Sequence, residues 1–299
     1  MNAKIIATSR PIGEQIAGPL SRGASAPASI LLFGRRELRD ALRSRWFMLY
    51  TLAFAALGLG VSYASAASAG GGISGFGRTS AGLVNLVLLV VPLMALTAGA
   101  ATIASERERG MLAYLLAQPV HRAELLLGKF LGLAAALLAS ICLGFGVVAG
   151  VLAWQGVAAH PASLVFLAAL TFMLALSMLS LGLLLSTMAR RTSVAIGGAV
   201  FLWLMLVFVS DLGLMAGTLS LSLPIERLLM LALLNPLQVF KMWSLQAVGA
   251  SLDVLGPAGL YAQQTYGQWL SLIFSTILAA WTLTPLCLAG MVFRYRSSI

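Results

Sequence analysis

The sequence predicts an all-α integral membrane protein: six transmembrane helices, an N-terminal interfacial helix, and re-entrant or interfacial helices between spans 5 and 6. Three observations carry this. Of 299 residues, 60% are hydrophobic and 9% charged, which would leave a soluble domain with more apolar surface than it could cover. Six apolar runs each reach the roughly 20 residues that a helix needs to cross a hydrocarbon core of about 30 Å. The basic residues behind the net charge of +10 stand in short blocks flanking those runs. They do not form one face of a folded domain, which sets nucleic acid aside as a partner.

In chain order, residues 1–29 hold Pro11, Pro19 and Pro27 among Gly, Ser and Ala, with Lys4, Arg10 and Arg22 but no apolar core of a signal peptide. They read as a cytoplasmic tail. Residues 30–45 (ILLFGRRELRDALRSR) put Leu31, Leu38 and Leu42 on one helical stripe and Arg36, Asp40 and Arg43 opposite. This is an interfacial amphipathic helix that anchors the chain by its arginines and offers a surface to a cytoplasmic partner. Residues 46–299 form the six-span transmembrane domain.

The first span covers 46–67, followed by a Gly- and Ser-rich loop through Arg78; the second covers 80–104, with a kink expected at Pro92. The third covers 126–153 and leads through a turn with Trp154, His160 and Pro161 into the fourth, 162–187, which Arg190 and Arg191 close. The fifth covers 194–216 and the sixth 269–293, ending at Arg294, Tyr295 and Arg296. One side then collects sixteen Lys or Arg: eight through Arg45, four in 105–129, two at 190–191 and two at the C-terminus. The other side holds three, Arg78, Arg227 and Lys241. Both termini are therefore expected in the cytoplasm, lipid being the surrounding partner.

Between spans 5 and 6, residues 225–234 (IERLLMLALL) are too short to cross and stop at Asn235 and Pro236, ahead of LQVFKMWSLQ. One or two re-entrant or interfacial helices on the outer face are expected there. Asp253 through Trp269 reads as an exposed loop open to a periplasmic partner. Glycines four apart, Gly128 with Gly132, Gly146 with Gly150 and Gly213 with Gly217, are spaced for close helix packing.

Reactive groups are scarce. His121 and His160 form no His-Glu-x-x-His pattern, and no Gly-x-Ser-x-Gly occurs. Cys142 and Cys287 both lie in apolar runs, so no disulfide framework or cysteine metal spacing arises. The twelve methionines are dispersed and read as packing, with no metal site expected. Gly128 and Lys129 are followed by Phe130 and lack the upstream glycine of a phosphate-binding loop, so the chain is expected to bind no nucleotide and not to be an enzyme. Asp211 is an acid set in an apolar run, marking either a function or a watered interface, and with Asn85 it is a candidate pathway or outer-face polar residue. Thr97 adds polarity to the second span.

The segment 105–129 (SERERGMLAYLLAQPVHRAELLLGK) is the long, densely charged stretch between two spans. It opens with Glu106, Arg107, Glu108 and Arg109, turns at Gly110, passes an amphipathic turn or two, breaks at Pro119 and leads through Arg122 and Glu124 into the next run. A short amphipathic helix lying along the membrane suits a place where a motor protein pushes.

Glu106, Gly110, Leu112, Leu115, Leu116, Pro119, Val120, Arg122 and the Leu126 to Lys129 run resemble the loop between the second and third spans of ABC-2 type permeases, and the six-span layout resembles them over nearly the whole chain. More narrowly, the stretches 75–96, 115–129 and 233–245 resemble the NosY-type permeases of nitrous oxide reductase maturation. This resemblance implies a homodimer in the bacterial inner membrane, bound to a dimer of cytoplasmic NosF-like ABC ATPase subunits and to a periplasmic NosD-like protein. ATP and magnesium would be used by the ATPase partner, with no cofactor on this chain. It also implies that Glu106 through Arg122 is a coupling helix seated in a groove of the ATPase. Leu112, Leu115 and Leu116 would fill the groove, and Glu106, Glu108, Arg109 and Arg122 would orient it by charge.

The expected function is that of a permease supporting copper-sulfur centre assembly, by moving a sulfur species or by transmitting ATPase motion to the periplasmic partner. The alternatives are an exporter of a lipid, drug or polysaccharide, and a scaffold that moves nothing and relays ATPase strokes.

Overall fold

The computed structural model describes residues 26–68, 74–112, 121–154, 161–219, 224–247, 262 and 264–296. They form α1 (Ala26–Arg43), α2 (Arg45–Ser68), α3 (Ser74–Glu108), α4 (Arg122–Trp154), α5 (Pro161–Met188), α6 (Thr192–Leu219), α7 (Ile225–Leu233), α8 (Pro236–Ala247), a 3₁₀ turn (Gly267–Trp269) and α9 (Leu270–Arg296), with no strand among the described residues. Six of these helices, α2 to α6 and α9, are long and apolar enough to cross a membrane. The fold class expected from the sequence is the one observed.

α3 and α5 form the centre. In the apolar stretch of α3, 67% of residues are buried, and in that of α5 61%, against 11% in α6. The α3–α5 contact is the most extensive among the described residues, and small residues make it close. A Cβ built on Gly99 would stand 2.7 Å from the Leu179 carbonyl oxygen, and one on Gly182 would overlap the Leu96 carbonyl. With lipid as apolar as leucine, backbone approach of this kind is what holds two spans together. One turn further along, the Ser186 hydroxyl accepts the backbone N–H groups of Ile103 and Ala104, each at 2.9 Å.

Other spans are joined by hydroxyl bonds of the sort that hydrocarbon favours. Thr51 of α2 meets Ser140 of α4 at 2.8 Å, and Ser177 of α5 meets Thr282 of α9 at 3.0 Å. α6 lies outside, exposing Phe201, Met205 and Phe208.

The expected break at Asn235 and Pro236 has a clear cause. The Asn235 side-chain oxygen accepts the Leu237 N–H at 2.9 Å, capping α8, while its amide donates to the Leu206 carbonyl of α6 at 2.6 Å. α7 and α8 are bent by 106°. α8 is buried against α5 and α9, where protein surrounds a non-spanning backbone.

The largest differences from the expected boundaries are in α1, α3 and α4. α1 begins at Ala26 and ends at Arg43, because Pro27 sits in its first turn, where a missing N–H costs nothing. The loop placed through Arg78 is helical from Ser74, since helical backbone satisfies its own polar groups near the bilayer. α3 runs unbroken through Pro92 and continues to Glu108, so 105–108 belongs to the second span and not to the surface segment. Its last turn stays helical because Arg107 reaches the Thr187 and Ala189 carbonyls at the end of α5. Finally, α4 starts at Arg122, four residues before the expected onset.

Candidate functional site

The charged segment has two described stems, with residues 113–120 of the connection between them outside the described residues. The α3 stem ends with Arg109 N–H on the Ser105 carbonyl and Gly110 N–H on the Arg107 carbonyl, both at 3.1 Å. Gly110 then takes φ +71°, a left-handed conformation that a side chain disfavours, so the expected turn is present. Leu112 is buried and Met111 half-exposed. Leu115, Leu116 and Pro119 lie outside the described residues. The α4 stem begins where the His121 carbonyl accepts the Glu124 and Leu125 N–H groups.

The stems are fastened to four neighbours by charged side chains. Lys129, its side chain 3% exposed, sits 2.9 Å from Glu106 on α3 and 3.0 Å from Glu37 on α1. Arg107 holds the end of α5 through its carbonyls. The Glu108 carboxylate accepts the Thr192 N–H at 3.0 Å, where the start of α6 offers free donors and a positive dipole end. Arg122 donates to the Arg294 carbonyl at 2.7 Å, near the end of α9, where acceptors are free. An Arg36 to Met111 sulfur contact of 3.5 Å adds α1 to the connection itself.

Sequence-predicted residues therefore separate by role. Glu106, Glu108 and Arg122 orient the segment relative to its own bundle, while exposed Arg109 makes no ion pair within 4 Å among the described residues. Asn85 is exposed on α3 between buried Val84 and Leu86. Asp211 lies on the backbone of α6, its side chain outside the described residues. Thr97 bonds carbonyls of its own helix.

Arg107 and Lys129 were noted in the sequence only as members of the charged segment and given no site role, and Glu37, Thr192 and Ser186 were not singled out. For Lys129 the signal was legible: a charge inside an apolar run, between Gly128 and Phe130.

Beside the Lys129 cluster lies a cavity of about 730 Å³ among α1, α2, α3, α4 and α6. Its lining pairs charges, Arg36, Asp40 and Arg109, with apolar and hydroxyl groups such as Met94, Thr97 and Val200. Among the described residues no three His, Cys, Asp or Glu side chains gather in a way that could hold a metal ion.

Comparison with known proteins adds a relationship to this geometry. Residues 34–297 match the family model described as ABC-2 family transporter protein. The chain is 34% identical over 278 residues to the "probable ABC transporter permease protein NosY" of Pseudomonas aeruginosa, covering 88% of this chain and 96% of that one. It is 33% identical over 276 residues to the protein of the same designation from Stutzerimonas stutzeri, with the same coverage.

Proposed function

The chain belongs to the ABC-2 family of transporter permeases, and from that premise we propose that it is the membrane half of an ATP-driven complex that supports copper-sulfur centre assembly in nitrous oxide reductase. A permease of this family is a multi-pass membrane protein that leaves ATP hydrolysis to a separate subunit. In our reading two copies pair, a NosF-like ATPase dimer binds the 109–121 connection on the cytoplasmic side, and a NosD-like protein meets the outer face. The NosY designation of both relatives supports this assignment.

One observation carries the mechanism: both stems of the connection are fastened by Glu37–Lys129–Glu106, Arg107, Glu108 and Arg122 to α1, α5, α6 and α9. A push on the connection therefore reaches the ends of all these helices together. ATP binding closes the ATPase dimer, the seated connection moves, and α3 carries the motion into the core because its backbone rests on that of α5 at Gly99 and Gly182. The 730 Å³ cavity beside the stems gives a small sulfur species a place to enter. Transmission of the stroke to the periplasmic partner uses the same lever.

A mild-detergent pull-down from native membranes with mass spectrometry tests the assembly. Recovery of an ATPase with a periplasmic repeat protein supports the proposal. Recovery of neither overturns it. Deleting this chain should then leave the reductase without its copper-sulfur absorption while its polypeptide is still exported; an intact spectrum would assign the permease to other cargo.

A further inference from the structure

The Lys129 cluster is more than a fastening. One ammonium faces two carboxylates, and the second carboxylate oxygen of Glu106 is buried with no hydrogen-bond partner among the described residues. Removing such charges from water is expensive, and apolar side chains of similar volume commonly hold helices together at lower cost. α1 is in any case already seated on α4 by backbone contact: a Cβ on Gly128 would stand 2.6 Å from that of Phe33, and one on Gly132 would overlap the Gly34 carbonyl. What the charges add is a shared partner. Glu37 of α1 and Glu106 of α3 meet on a single atom of α4, within one turn of the end of the charged segment's α3 stem.

α1 is also a wall of the cavity, through Arg36, Glu37, Asp40 and Ala41. On the same helix Leu31 and Leu32 are exposed.

We propose that Lys129 is a positioning residue that ties the interfacial helix α1, together with the α4 helix on which it is seated, to the α3 stem of the charged segment, so that α1 serves as the moving wall of the cavity. The proposal rests on the ATP-driven reading above. When the α3 stem is displaced, Lys129 draws α4 and α1 with it, and the cavity changes width with each nucleotide state.

The test uses the full complex with its ATPase in nanodiscs, in a background with Cys142→Ser and Cys287→Ser, and a single reporter cysteine, Ala101→Cys, in the cavity wall. With Lys129 present, maleimide labelling should differ several-fold between nucleotide-free and ATP-trapped states. Lys129→Arg, which reaches both carboxylates, should keep that response. The neutral combination Lys129→Met, Glu37→Gln and Glu106→Gln should keep insertion and melting temperature yet lose it, with labelling compared in the ATPase-bound fraction of each preparation. A response retained in the neutral combination overturns the proposal, as does a complex that turns over ATP with no labelling change when Lys129 is intact. Should no ATPase bind the unmodified chain, the functional reading fails separately. Hydrogen exchange on the isolated chain then decides the tie: Glu37→Gln should speed exchange in α1 but not in α9, and unchanged α1 exchange overturns it.

Discussion

Gly34 of α1 and Gly132 of α4 pack backbone against backbone, with no room for a Cβ on Gly132 because the Gly34 carbonyl oxygen occupies its place. The sequence spacing of Gly128 and Gly132 anticipated a close crossing, and the structure supplies the partner helix. By contrast, a Cβ on Gly146 or Gly150 of the same helix meets nothing within 4 Å among the described residues.

Gly132→Val should therefore displace α1, at an overpacking cost of about 1–3 kcal/mol. Hydrogen exchange should rise in α1 and remain unchanged in α5. Gly146→Val is the matched control and should leave both alone; equal effects from the two substitutions would contradict the packing described.

Ser186→Ala removes the acceptor shared by the Ile103 and Ala104 N–H groups. Hydrogen bonds between spans average about 0.6 kcal/mol and reach about 1.7, so losing this pair should lower the melting temperature in detergent. Ser275→Ala removes a hydroxyl that bonds within its own helix near the surface, and should not lower it.

At Gly110, with φ +71°, Val should be strained by about 1–2 kcal/mol while Asn, which visits this region more readily, should be tolerated. Co-purification of the ATPase should survive Gly110→Asn and be lost in Gly110→Val. Loss in both, or in neither, would separate the turn from partner binding.

Leu115→Glu with Leu116→Glu should abolish ATPase association without affecting membrane insertion, because the proposed groove contact is apolar. Normal stoichiometry in that variant would place the ATPase contact elsewhere.

A reporter fused after residue 299 should be active in the cytoplasm, and one inserted within 248–261 active outside, as sixteen against three basic residues require. A reporter at the C-terminus that works only outside would invert the assignment.

By itself, the sequence determined the elements and the kind of protein. Spans are set by runs of apolar residues long enough for a bilayer, and α7 and α8 by a short run stopped at Asn235 and Pro236. These are local properties, so they survive without knowledge of neighbours. Turning at Gly110 was legible for the same reason. Tertiary structure decided which charges face inward. Glu106 and Arg122 look alike in sequence as surface charges, yet Glu106 ends against buried Lys129 and Arg122 on the Arg294 carbonyl, 172 residues away. Nor does spacing reveal that Gly99 and Gly182 are where α3 and α5 touch, since a crossing point depends on the angle and register of two helices that no single stretch encodes.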